Sequence, residues 1–458
     1  MHVVARQIGV PRRSAQFWKS KADFATEAGL FVLGVSGAYS ANIIGALPGC
    51  EILILPLLPA LLVSKGRRAF RREYFWFYVL VGAWLLGTLI ADEYNGIGAF
   101  NRSKGIARVV FFACDFMALA ILINDKARRM VVFGLSIAFL MLIGSFQFLP
   151  DFDVVWKFGM AESIAIVALL VSSHFYTRRR YWICFLISFG LAGLNLIFGF
   201  RSQLAVHFVS AVLILPLPSF SKGRSFRQQG NQSVARALIL IFLAFGAAYA
   251  ANSLIGYASR SGFFDQSTQA KFESQAHGDY GVLVGGRPET LVAIQAIRDS
   301  PIIGHGSFPY GPEYVQLQQD IQYEHGYSDT DEPKEVEYPV IPSHSHLTLA
   351  WVEGGILGGI CWIYILVLVV RAVFRVSTTR PNLAPLYGYF LVAFVWDILY
   401  SPFGSVNRIL AAYYILLSYG LMKSPIEAAR HMSRRIRVGY AKVYVRRIGV
   451  PSAPFLRP

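Results

Sequence analysis

Charge is scarce in this chain. Only 15% of its 458 residues are Asp, Glu, Lys or Arg, against 55% hydrophobic ones, and the mean hydropathy is +0.46. A soluble protein of this length needs far more charged surface to cover its core. Cytosolic enzymes, disordered chains and secreted scaffolds are therefore excluded. Cysteine is also sparse: Cys50, Cys114, Cys184 and Cys361 all lie in or beside apolar runs, and no CxxC pair occurs. They read as small buried hydrophobes. Leu47-Pro48-Gly49-Cys50 faintly resembles a lipoprotein cleavage site, but it lies too deep in the chain and another apolar run follows. P-loop, HExxH and GxSxG signatures are missing as well, which argues against nucleotide-driven or metal-dependent chemistry. There is no repeat at a fixed period, and no matched pair of Gly/Pro-broken segments of the kind transporters use.

What the sequence has in abundance is long apolar runs. A bilayer core about 30 Å thick needs roughly 20 apolar residues per helix. Twelve runs qualify or nearly do: 27–47, 50–64, 74–91, 106–124, 129–148, 157–173, 181–199, 203–217, 236–254, 347–370, 384–400 and 404–422. The expectation is an all-α polytopic membrane protein of about twelve transmembrane helices with one large, partly helical loop on the outer side. It divides into an arm at 1–26, nine helices over 27–254, the loop at 255–346, three helices over 347–422 and a basic tail at 423–458. A net charge of +16 would point to nucleic acid in a soluble chain. Here most Lys and Arg fall in alternate loops, the arm and the tail. That pattern places both termini in the cytoplasm and calls for no nucleic-acid partner; membrane lipids are the expected contact of the basic tail.

The 255–346 loop breaks the compact pattern. It carries thirteen acidic and five basic residues, so it is soluble and faces away from the cytoplasm, and loops of this length are usually functional. Arg287-Pro288-Glu289 opens a helical stretch to about Asp299, with proline and an acid in its first turn. Leu291, Ile294 and Ile297 give it one apolar face, set to lie on the membrane surface or the bundle. Ser300-Pro301 stops it and Gly304-His305-Gly306 forms a tight turn.

Several residues carry potential chemistry. Arg201, in Phe198-Gly199-Phe200-Arg201-Ser202-Gln203, stands at the outer end of a helix, where a charge marks function or a snorkelling side chain. Arg287 sits at a helix start, where free N–H groups, partial positive charge and a guanidinium together make an oxyanion or phosphate site. The plainer reading is a solvated loop arginine. Ser343-His344-Ser345-His346 closes the loop. Histidine suits a general base near neutral pH; a zinc pair or two ordinary interfacial histidines are the other readings, and no third metal ligand stands at recognisable spacing. Asp115, Glu162 and Asp397 fall in or near apolar helices, to be paired with Arg108 or Arg408 or to line a wet cavity. Proton-coupled transport would use such acids.

Taken in order, Gly286-Arg287, Ser300-Pro301-Ile302-Ile303-Gly304-His305-Gly306, His344-Ser345-His346-Leu347 and Trp351-Val352-Glu353-Gly354-Gly355-Ile356-Leu357-Gly358 resemble the O-antigen ligase and O-antigen polymerase superfamily of bacterial envelope glycosyltransferases. The similarity spans about 190–420; before that, only the general topology agrees. The resemblance implies metal-independent, inverting transfer of a glycan from a polyprenyl diphosphate carrier, without cofactor, at the outer face of a bacterial inner membrane. The acceptor would be a lipopolysaccharide core or similar glycan, or, in a polymerase, another lipid-linked repeat unit. It also implies that Arg201 and Arg287 bind the diphosphate and that His344 is the base, with His346 and Glu353 as secondary candidates. Ser345 stands where the family commonly has Asn, and Phe200 where a small residue usually precedes Arg201. The chemistry is coherent on its own terms: a diphosphate leaving group gathers negative charge that two arginines can stabilise where water is scarce.

Overall fold

The computed structural model describes residues 21–43, 45–146, 152–215, 287–324 and 338–423, with positions 246, 253, 256, 257 and 261. Helices dominate: α1 (Lys21–Ser36), α2 (Gly49–Lys65), α3 (Phe75–Tyr94), α4 (Ala99–Ile123), α5 (Ala127–Ser145), α6 (Phe152–Val155), α7 (Ala161–Thr177), α8 (Tyr181–Ile197) and α9 (Arg201–Ile214), then α10 (Pro288–Asp299), α11 (Pro312–Glu324), α12 (His346–Thr379), α13 (Ala384–Tyr400) and α14 (Asn407–Met422). Six helical segments among the described residues are long and apolar enough to cross a membrane, and α8, α9 and α13 are shorter apolar helices. The chain is an all-α, membrane-embedded protein. Most of the expected run at 236–254 and of the 255–286 stretch lies outside the described residues, as do the N-terminal arm up to residue 20 and the tail after residue 423.

Burial explains why these helices need lipid. On α12, Ile356, Ile360, Ile363 and Val367 are all exposed, at helical spacing that lines up one apolar stripe. The opposite side, with Cys361, Trp362, Ile365 and Val369, is buried. A stripe of large aliphatic side chains facing water would oppose folding; facing acyl chains it costs nothing. Exposed Leu86, Leu89 and Ile90 on α3 and Trp182, Leu186 and Phe189 on α8 repeat the pattern.

Helix α12 is the axis of the bundle, packed against α3, α13 and α14, while α4 packs on α14 and α9 on α13. Inside lies an aromatic core in which Phe112 stacks on Trp362 at 5.8 Å and Phe403 meets Trp362 edge-on at 4.9 Å. The loop helices carry a small core of their own, Val292, Ala293, Ala296, Tyr314 and Ile341 around Val352 of α12.

Two expectations change. The first run, 27–47, is helical only to Ser36; Ser40–Asn42 and Ala46–Pro48 form an antiparallel β-hairpin, β1 and β2, pairing Ser40 with Pro48 and Asn42 with Ala46. Gly45 at φ +75° makes the turn that an apolar count cannot see. In α10 the buried face is Val292, Ala293 and Ala296, whereas Ile294 is exposed. Small residues win that face because α10 packs directly on α12, and bulky ones would hold the helices apart.

Candidate functional site

Helix α12 is broken. Gly355 has φ +62° and ψ −155°, a conformation that only glycine adopts without strain. The break leaves carbonyls and an amide without helical partners, and the 300–306 turn supplies them. His305 N donates to Val352 O at 2.6 Å, Gly306 N to Glu353 O at 3.1 Å, and Ile356 N to Ile302 O at 3.1 Å. Gly304 and Gly306 hold φ of +84° and +83° to make the approach. The serine–proline–glycine block and the glutamate–glycine block therefore dock on each other, through backbone. Side chains complete the joint: Trp351 Nε1 donates to Pro301 O at 2.8 Å, and the amide and hydroxyl of Ser307 donate to the two Asp92 oxygens at 2.6 and 2.9 Å.

Glu353 belongs to that joint. It is buried, pairs with Arg108 at 2.5 Å and accepts from Phe308 N at 3.2 Å. Arg108 in turn lies over the Phe308 ring, 4.3 Å from its centroid. Both Glu353 oxygens are thus occupied by protein, a structural use for this secondary candidate.

Two of the candidate segments reach the C-terminal end of α13. Arg287, the residue preceding α10, donates through Nη1 to the carbonyl of Tyr400. Its guanidinium lies 5.5 Å from the Trp396 ring and 5.6 Å from that of Tyr400. A helix C-terminus offers unpaired carbonyls and partial negative charge, so a cation there is stabilised. Burial draws the Arg287 guanidinium below its ordinary value, and Glu289, Tyr400 and Asp397 oppose that; the group stays charged. Asp397, which accepts from Ser401 Oγ at 2.7 Å, interacts electrostatically with both Arg287 and Glu162.

The histidine block reaches the same helix end. Ser345 Oγ donates to Ile398 O at 2.9 Å and accepts from Thr348 N at 3.1 Å. One serine thus caps α12 and ties it to the last turn of α13. His344, immediately before it, is exposed. His346 is 2% exposed, between Trp362 and Phe403 with ring centroids at 4.9 and 5.0 Å. The two histidines occupy opposite environments. Among the described residues no three His, Cys, Asp or Glu side chains gather as a metal would require.

Arg201 is the first residue of α9 and half-buried. Its helix packs on α13, but the neighbouring Gln203 accepts from the Tyr389 hydroxyl at 3.3 Å. Tyr389 precedes Tyr400 by eleven residues, roughly 16 Å along a helix. Arg287 and Ser345, the residue after His344, therefore reach the final turn of α13, while α9, which begins at Arg201, meets the same helix nearer its middle through Gln203.

The expected acid pairings also change. Arg108 takes Glu353, and Arg408 takes Glu51 at 2.6 Å, leaving Asp115 beside Glu51 and Glu162 facing Asp397. Trp396 and Tyr400 belong to no motif in the sequence. Their i, i+4 spacing around Asp397 at a helix end was the available signal. Comparison of the chain with family models, with characterised proteins and with solved structures gives no match.

Proposed function

We propose that this protein is a membrane glycosyltransferase of the O-antigen ligase type, moving a glycan from a polyprenyl diphosphate carrier to a lipopolysaccharide core or similar acceptor. The observation that carries the reading is the convergence on α13: Arg287 bonds the Tyr400 carbonyl and Ser345 bonds the Ile398 carbonyl. A half-buried arginine and the serine that follows an exposed histidine come to one helix end. In this reading the loop end of the bundle faces the periplasm, the bundle has about twelve spans in the bacterial inner membrane, and both termini are cytoplasmic. The basic arm and tail and the acidic loop support that orientation.

Arg287, already seated among Trp396, Tyr400 and Asp397, presents its remaining N–H groups to a diphosphate oxygen, and Arg201 holds the carrier from α9. Charge that develops on the leaving diphosphate meets groups fixed beforehand, so little reorganisation opposes the reaction. His344, open to the loop side, accepts the proton of the attacking sugar hydroxyl. One displacement at the anomeric carbon inverts its configuration, without a metal or cofactor. Glu353 and His346 hold the scaffold.

Deletion of the gene followed by envelope glycan profiling tests the proposal. A ligase leaves lipid-linked polymer accumulating and lipid A-core without long glycan. Accumulation of single lipid-linked repeat units assigns a polymerase, which uses the same residues on a different acceptor. The Glu162–Asp397 pair inside the bundle is what favours the remaining reading, a proton-coupled transporter. Unchanged envelope glycans would support it against both enzymes.

A further inference from the structure

A second charged cluster lies in the bundle, away from α13. Arg408, in the first turn of α14, grips Glu51 of α2 with two bonds, Nε to Oε1 at 2.6 Å and Nη2 to Oε2 at 2.7 Å. Nη2 also lies 3.4 Å from the Ala46 carbonyl of β2. Glu51 is 0% exposed and Arg408 6%. The pair is bidentate and electrically complete.

Asp115 of α4 disturbs that balance. It lies sixteen residues beyond the start of α4 at Ala99, well inside the span, and is 0% exposed. Among the described residues neither carboxyl oxygen receives a bond from a protein donor, and the group's ionisable neighbours include Glu51, which it meets carboxyl to carboxyl, and Arg408. Among the described residues the remaining titratable neighbours are Cys50 of α2 and Cys114 of α4, neither of which supplies positive charge. Two ionised carboxylates facing one guanidinium would leave an uncompensated negative charge in a dry interior, a cost that proteins avoid by neutralising the group.

We infer that the Glu51–Asp115–Arg408 cluster is a proton-binding site: Asp115 holds a proton and donates it to the Arg408-paired Glu51. The O–H of Asp115 then lies against the carboxylate, as in other carboxyl pairs that share one proton. Every charge is matched, and three helices distant in sequence are joined through one hydrogen. A sodium ion would need five or six oxygens. The described neighbours offer two carboxylates, one already engaged by Arg408, the Ala46 carbonyl, which also faces Arg408, and two thiols that are poor partners for a hard cation. The proton fits this donor set and sodium does not.

Infrared spectroscopy of the purified full-length protein at neutral pH tests the assignment. With aspartate labelled with carbon-13, the wild type should show a protonated-carboxyl band that shifts with the label, and Asp115→Asn should lose that band. Asn can still donate to Glu51, so the variant is expected to accumulate normally. If it does not, Asp115→Glu should move the band from the aspartate label to a glutamate label. A wild-type spectrum unchanged by Asp115→Asn, or a band that disappears on adding sodium chloride in place of potassium chloride, overturns the proton assignment.

Discussion

The amide of Ile356 donates to the carbonyl of Ile302 at 3.1 Å, so the long helix α12 is completed across its break by a loop residue. This contact makes the 300–306 turn part of the bundle and fixes where the following segment, and with it Ser307 and Phe308, meets Asp92 and Glu353.

The break sets the first expectation. A Cβ at Gly355 would lie 2.6 Å from the Ile303 carbonyl carbon, in addition to the unfavourable backbone angles. Gly355→Ala should cost about 1–3 kcal/mol from backbone strain alone, seen as a lower thermal midpoint in detergent. Gly82→Ala, where nothing lies within 4 Å, is the control and should be neutral or slightly stabilising.

The Arg108–Glu353 pair should behave as a unit. Removing either partner leaves a buried charge alone, at about 3–5 kcal/mol, so Arg108→Ala and Glu353→Ala should each reduce the amount of folded protein in the membrane. The double variant should be less damaged than the sum of the two. Strict additivity in a double-mutant cycle would show that the pair is not coupled.

The histidines should separate chemistry from stability. His344→Ala is expected to lower transfer about 10²–10⁴-fold, the usual size of acid–base assistance. Being exposed, His344 should leave the melting temperature nearly unchanged. His346→Ala empties a large buried site and should lower stability by about 2–5 kcal/mol. His346→Asn, smaller but still polar, should retain more activity than His344→Ala. Wild-type transfer should survive excess EDTA. The opposite ranking of turnover would give His346 the role of base.

Arg287 is gripped by a carbonyl and two rings as well as attracted by Asp397, so charge alone should not replace it. Arg287→Lys should keep the protein in the membrane and lower transfer by ~10²–10³-fold, as for loss of a fixed donor to developing charge. Arg201→Lys should act in the same direction. Full activity in Arg287→Lys would mean that a point charge suffices.

At the opposite end of the bundle, Asp125 bonds Lys423 Nζ at 2.5 Å and Arg71. Burial alone would raise its carboxyl, but Lys423 and Arg71 together hold it below its ordinary value. A depressed carboxyl stabilises the folded state above its unfolded value, near about 3.9, and loses that effect as the pH falls through the folded value. The stability gap between wild type and Asp125→Asn should therefore be full at neutral pH and close in acid. A gap that widens in acid would reverse the sign.

The sequence by itself determined the class of this protein. Scarce charge and long apolar runs left no soluble solution, and helices are the natural way to satisfy a backbone in lipid. Its local signals also held: Pro288 after Arg287 and Ser300-Pro301 bracketed α10. The tertiary structure decided everything that depends on who meets whom. Apolar counting could not end α1 at Ser36, because a glycine turn is a backbone property and hydropathy registers only side chains. Nor could it show that α12 breaks at Gly355, since the break persists only because residues 302–306 satisfy its amide and carbonyls. Which carboxylate each arginine takes was equally hidden. Arg108 and Glu353 are 245 residues apart, Arg408 and Glu51 357, and pairing at such separations is set by helix packing.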